Sequence, residues 1–244
     1  MLTIIGTGHV FRIAETVSFL VRQSYPDAVC IEYDDIRYYA AIGDKEMLKK
    51  SVEEKGFGTI EEYLASAPKI QKKTSDYQSK VSAQNNSSAG ADMMAAIGAA
   101  KSVDAPVYRI DYDVVYAMGR MWEEMSGSER FRYRFSGILD NIFKKRRVKK
   151  TQTDYTKGQE AYVESMRKKY PTMIRVLIDE RNEHMAKGIA KVCADHENVV
   201  VVVGDAHVDG LLKLLPSDQK IRTVRLWELM DSSRAMELKS EFWE

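Results

Sequence analysis

Two short stretches place a histidine three residues after a glycine, each at the end of an apolar run. Near the start, LTIIGTGHV carries Gly6 and His9; near the end, NVVVVVGDAHVDG carries Gly204 and His207. The chain has only four histidines, so two in one pattern stand out. Carboxylates follow other apolar runs: Glu32 and Asp34 after AVCI, Asp111 and Asp113 after PVYRI. Two imidazoles and a carboxylate are the usual ligands of an open catalytic metal site, which keeps a position for water. Gly6 and Gly204 are expected to permit a sharp exit from a strand. Each histidine would then sit near a helix start, where free N–H groups and the dipole disfavour imidazolium. Neutral imidazole is the metal-binding form. Taken singly, either histidine reads as a cap or a packed residue; the pairing sets a shared site level with that reading.

Elements that could bring these residues together alternate along the chain. Strands are expected at Thr3–Gly6, Ala28–Glu32, Pro106–Ile110, Val199–Val203 and Ile221–Leu226. Helical spacing runs over Phe11–Tyr25, over Asp35–Gly56 with a break at Gly43, and over Asp92–Lys101, Val114–Met125 and Glu129–Phe143. Thr59–Ala67 opens with a capping-box pattern, Glu62 three residues after Thr59. Glu160–Tyr170 and Thr172–Cys193 meet at Pro171, a helix follows Val203 to Leu215, and a charged helix runs to Phe242. Thr151–Gly158 reads as a linker and residues 69–88 as a mobile polar segment. Strands alternating with helices predict an α/β fold with a mainly parallel central sheet flanked by helices. Residues 1–244 read as one domain, with a helical insertion at about 114–158. In such sheets ligands collect outside the carboxyl ends of the strands, and His9, Glu32, an aspartate (Asp111 or Asp113) and His207 map there.

Composition excludes several classes. A formal net charge of +1 over 244 residues gives no global pull toward nucleic acid. No apolar run approaches the roughly 20 residues of a transmembrane helix, and the first strand begins too early for a signal peptide. The two cysteines, Cys30 and Cys193, fit a reduced compartment. A cytoplasmic protein is expected. KKRRVKK, Lys144 to Lys150, reads as a solvated helix end.

The motifs, taken together and in order, resemble the TraB family, which includes pheromone-shutdown proteins and is related to the Tiki metalloproteases. IIGTGHV is similar to that family's opening GTxH element, and VCIEYDDIRY to its E-L-D-x-x-R element through Glu32, Asp34 and Arg37. GADMMAAIGAA resembles a G-x-E-M-x-A-A-I helix, with Asp92 where glutamate is usual. YRIDYDVVYAMGRMW resembles an I-D-R-D segment and a later arginine through Asp111, Asp113 and Arg120, with Tyr112 replacing the inner arginine. LIDERNEHMA matches E-R-N-x-x-M-A through Glu180, Arg181 and Asn182, and VVVGDAHVDG matches a closing G-x-x-H-x-x-G.

The resemblance implies metal-dependent hydrolysis of a peptide or related carbonyl compound. His9, His207 and Glu32 would hold a divalent ion (Mn, Co or Zn). Glu180 would be the general base, and Arg181 or Arg37 would stabilise the developing oxyanion. Asp92, Asp111, Asp113, Arg120 and Asn182 would contact substrate. No organic cofactor and no nucleic-acid partner is expected; self-association stays open. His184 and His196 are expected at the surface. One rival is a non-enzymatic protein that sequesters a peptide or small molecule in the same pocket. Another is a dinucleotide-binding unit, but GTGHVF has Phe11 where the third glycine of G-x-G-x-x-G belongs.

Overall fold

The valine run becomes the central strand of a five-stranded, all-parallel sheet in the order β3-β2-β4-β1-β5. The strands are β1 Leu2–Thr7, β2 Ala28–Ile31, β3 Val107–Arg109, β4 Val199–Gly204 and β5 Ile221–Val224. The computed structural model describes residues 1–8, 11–67, 90–135 and 155–242, with backbone alone at 134–135, 155–160 and 162. The predicted mobile segment 69–88 and His9 lie outside these residues. So do 136–154, which include the basic run and much of the predicted insertion. Among the described residues no helix is long and apolar enough to cross a membrane.

Five consecutive valines suit a strand covered on both faces, where alternation with polar residues is unnecessary. Val200 and Val202 point to one face with Ile5, Val29 and Ile31, under Val17 and Leu20 of the Ala14–Gln23 helix and Ala96 of the Ala91–Ser102 helix. Val199, Val201 and Val203 point to the other face, with Ile4 and Cys30. There they pack under Met185 and Ile189 of the Glu180–Asp195 helix and Leu211 of the Asp205–Leu214 helix. The register pairs Thr7 with Gly204 and Ile31 with Val202. The ends of β1 and β4 are thereby level, and β2 stops two residues short of them.

Local chemistry sets most boundaries. Asp34, Asp44 and Asp113 cap helices Asp35–Ile42, Lys45–Glu54 and Val114–Glu124 by accepting backbone N–H groups. Gly43, at φ 76°, makes the predicted break between the first two. Thr59 accepts from Glu62 N at 3.1 Å as expected, but the Glu62 carboxylate takes Gly58 N.

Four expectations change. Tyr155–Lys169 is helical, so residues 155–158 are helix and not linker. The helix expected over Thr172–Cys193 contains a wide π turn, Arg175–Asp179. The last strand stops at Val224 because Arg225 is drawn to Asp205 and Asp209 and Leu226 N donates to Asp205. The final helix divides at Asp231, which caps Ser232–Glu241. Of the predicted insertion, Val114–Glu124 and Gly127–Phe135 are helical and pack Met118, Met121 and Tyr133 against Met166, Tyr170 and Met173.

Candidate functional site

The helix after β1 lies on one face of the sheet and the helix after β4 on the other. Adjacent parallel strands whose chains part in this way leave a crevice at their carboxyl ends, the usual ligand position in open α/β sheets. Glu32, just beyond β2, reaches across it. Its Oε2 accepts Gly204 N at 2.5 Å, tying the ends of β2 and β4 together. Its Oε1 accepts from Arg181 Nη2 and stands 3.4 Å from His207 Nε2. Glu32, Arg181 and His207 are all buried.

Arg181 organises the floor. It grips Asp111 with Nε to Oδ1 at 3.0 Å and Nη2 to Oδ2 at 2.6 Å, and its Nη1 donates to Leu177 O at 3.2 Å. Arg37 meets the same aspartate, Nη2 to Oδ2 at 2.5 Å, while its Nε donates to Asp34 at 2.6 Å. Burial alone would raise the Asp111 pKa. The charge and hydrogen bonds of Arg181, with the charge of Arg37, outweigh it and hold Asp111 below the usual carboxylate value. Burial works against charge on Arg181 too, but Asp111 and Glu32 reverse this and raise its pKa. Every donor nitrogen of Arg181 is thus committed to the protein. Arg37 is more open, and its guanidinium lies 5.3 Å from the Tyr33 ring centre.

His207 is oriented from behind. Its Nδ1 lies 2.7 Å from Asn182 Oδ1, an atom that can only accept. Nδ1 therefore carries hydrogen, and in the neutral ring the Nε2 lone pair faces Glu32 Oε1. Asn182 reaches this position because residue 210 is glycine: a Cβ there would lie 2.0 Å from Asn182 Nδ2. The closing glycine of GDAHVDG thus makes room for the residue that aims the histidine.

Gly6 has a similar reason, different from the sharp exit expected. Neither Gly6 nor Gly204 adopts positive φ. A Cβ on Gly6 would come 2.2 Å from Asp205 Oδ1. Asp205 itself is held by Arg225 Nε at 2.9 Å and by Leu226 N at 2.9 Å. The glycine of the first motif therefore admits a side chain of the second, and Arg225 clasps β5 to both.

The other predicted residues fall in several places. Asp92 is buried in the first turn of Ala91–Ser102, close enough to Tyr33 that burial first, and then the Asp92 charge, raise the tyrosine's pKa. Asp113 caps its helix and accepts Tyr63 Oη at 2.7 Å. Glu180 points away from His207's partners: Oε2 accepts Arg120 Nη1 at 2.7 Å and Oε1 accepts Arg175 Nη1 at 2.6 Å. Tyr112 donates to Val176 O within the π turn at 3.3 Å, which gives the departure from the expected arginine a local purpose. His184 packs edge-on against Tyr112, and His196 bonds Tyr108 Oη at 2.9 Å; neither joins the crevice group. Among the described residues, no three His, Cys, Asp or Glu side chains form a metal-holding cluster.

From sequence, Asp205 is placed after the valine strand without a role, and Tyr33, Gly210 and Arg225 are given none. Arg225 lay inside the strand expected over Ile221–Leu226, so no sequence signal set it apart.

An open parallel sheet with buried arginine, carboxylates and an oriented histidine at its switch point defines an α/β protein with a polar site at the strand ends. The matching family model covers residues 1–219 and describes the TraB/PrgY/gumN family; the chain belongs to that family. It is also similar to an uncharacterized protein of Methanocaldococcus jannaschii, 26% identical over 231 residues. That match covers 93% of this chain and 56% of the relative, so the chain spans little more than half the relative's length.

Proposed function

We propose that the chain is a metal-dependent hydrolase acting on a peptide or related carbonyl substrate at this crevice. The observation that carries this reading is His207 Nε2 facing Glu32 Oε1 at 3.4 Å. With hydrogen on Nδ1, Nε2 is the ring atom that would serve as a ligand, beside Glu32 Oε1, which also accepts from Arg181. Two ligands about 2.0–2.1 Å from a tetrahedral ion stand about 3.4 Å apart, so the separation fits. Asn182 behind His207 has the place of the hydrogen-bond partner that orients a ligating imidazole. His207 and Glu32 would hold the ion, with His9 as the further ligand the sequence offers. A bound divalent ion would supply an activated water and polarise a carbonyl.

The chain's own groups do the rest. Arg181 fixes Glu32 and Asp111, and is a positioning residue. Arg37, less fully committed, is the group to contact the oxygen that gains charge. For Glu180 the reading changes: both its oxygens hold arginines, so taking a proton from water would first require breaking an ion pair. Its role is to join Val114–Glu124 to the π turn. The free thiols of Cys30 and Cys193 support a reducing compartment, hence the cytoplasm.

The test is a screen of peptide and ester libraries with added Mn²⁺, Co²⁺ or Zn²⁺, comparing wild type with His207→Ala and Glu32→Gln. Metal-dependent turnover lost in both variants is expected. Tight ligand binding without turnover would replace the hydrolase by a sequestering protein.

A further inference from the structure

Behind His207 a pocket of about 120 Å³ opens between the Tyr155–Lys169 helix, the π turn and the Asp205–Leu214 helix. Asn182 belongs to both places: it lines this pocket, and through Oδ1 it aims the imidazole. Its Nδ2 faces Gly210, which lines the same pocket; a Cβ at 210 would lie 2.0 Å from that nitrogen. Asn182 is 3% exposed, and among the described residues Oδ1 has a partner while nothing accepts a hydrogen bond from Nδ2. A buried donor without an acceptor is costly, and the pocket is where an acceptor can reach this one.

Charges of both signs stand around it. Arg167 and Lys213 bring positive charge, and Glu164, Asp179 and Asp209 bring negative charge. The carboxylates are already partly compensated: Glu164 and Asp179 bind Arg167, and Asp209 binds Arg225. A carboxylate offers about four lone-pair positions. Asp179 and Asp209 each spend two of them on an arginine and keep capacity for an ammonium. Val163 and Ile178 add an apolar wall. A simple anion would meet three carboxylates, and a simple cation would leave Nδ2 without its acceptor. A molecule with both charges on neighbouring atoms suits the whole lining. The volume equals that of about four waters, which restricts the ligand to a few heavy atoms.

We propose that this pocket binds a small free α-amino acid, glycine or alanine. Its carboxylate accepts from Asn182 Nδ2 and from Lys213, its ammonium faces Asp179 and Asp209, and a methyl side chain lies against Val163 and Ile178. A ligand oxygen on Nδ2 keeps the amide from turning over, so Oδ1 stays on His207 Nδ1. Ligand and histidine are thereby coupled, and the coupling is reciprocal. The site is separate from the crevice chemistry and needs neither metal nor turnover.

The experiment titrates the isotope-labelled full chain with glycine, L-alanine, acetate and methylamine, reading nitrogen and proton shifts. Excess chelator makes the result independent of the metal reading. Saturable shifts are expected at the backbone amides of Ala206, Asp209 and Gly210 and at the His207 ring nitrogens with glycine or L-alanine. Acetate and methylamine, each carrying one half of the ligand, should bind at least about tenfold more weakly. Asn182→Asp replaces the donor by an oxygen that repels the ligand carboxylate, and Lys213→Met removes a cation from an exposed position. Each should weaken binding at least about fivefold. Melting curves establish that the variants are folded, and Lys213→Met keeps the test decisive if Asn182→Asp is not. No saturable shift with either amino acid would leave water as the acceptor of Nδ2 and overturn the proposal. So would acetate binding as tightly as glycine, shifts confined to other parts of the chain, or undiminished binding in Lys213→Met.

Discussion

His207 Nδ1 and Asn182 Oδ1, 2.7 Å apart and buried, fix which edge of the imidazole faces Glu32. Removing that acceptor should free the ring to place its hydrogen on Nε2 and bond Glu32 directly. Asn182→Leu is therefore expected to lose about 10–100-fold in metal affinity, the usual cost of losing such an orienting partner. Asn182→Asp keeps the acceptor and should retain the ring orientation. Nitrogen chemical shifts of His207 read the hydrogen position without substrate or metal. An unchanged ring in Asn182→Leu would remove this role from the asparagine.

Gly210→Ala should reproduce the Asn182→Leu phenotype, since the added methyl would sit 2.0 Å from Asn182 Nδ2. The same nitrogen shifts decide it: a ring still carrying hydrogen on Nδ1 would show that Asn182 can yield without releasing His207.

Gly6→Ala should destabilise the fold by about 1–3 kcal/mol, because the methyl would meet the Asp205 carboxylate, which Arg225 and Leu226 N hold in place. Gly8→Ala should cost less, since the atoms it would meet are the ends of the Phe11 and Leu226 side chains. Denaturant melts of the two variants give the comparison, and a larger loss for Gly8→Ala would contradict it.

Asp111 carries a pH signature. Its pKa is depressed in the folded state, so the stability it contributes is present above the unfolded carboxylate value, about 3.9. That contribution is lost as pH falls through the lower folded value. Asp111→Asn should flatten the acid limb of the stability curve. At neutral pH it should cost on the order of 3–5 kcal/mol, because Arg181 and Arg37 lose their shared counterion. Parallel acid limbs for wild type and variant would refute the assignment.

Glu180→Gln separates a structural ion pair from a proton acceptor. With both oxygens on arginines, the variant should lose less than about tenfold in turnover, against the 10²–10⁴-fold, roughly, of a missing general base. A loss of the larger size would return Glu180 to the chemistry.

The strands were legible because their apolar runs are short and bounded, and β1, β2 and β4 are buried on both faces. The convergence of Glu32, an aspartate and His207 followed from placing each after a strand; His9, expected with them, lies outside the described residues. What escaped were contacts made across long sequence distances. Nothing near Gly6 announces that Asp205 will need its space. Arg181 and Glu180 are neighbours in one motif, yet the Arg175–Asp179 π turn leads into a helix that turns the arginine into the crevice and the glutamate toward Arg120 and Arg175. Helical periodicity alone does not reveal such a turn. Asn182 looked like a substrate contact because a motif names a residue without naming its partner.

The central claim is that His207 and Glu32 hold a divalent ion in the folded chain. Melting temperature with and without Mn²⁺, Co²⁺ or Zn²⁺ tests it most directly. At about 100 times its dissociation constant, an ion bound only by the native state adds about 2.7 kcal/mol. In a chain of this size that is roughly 5–10 °C. The account predicts a shift of that size for at least one ion in wild type and its loss in His207→Ala and Glu32→Gln. A wild-type melting temperature indifferent to all three ions at neutral pH, or a shift that survives both substitutions, would contradict it.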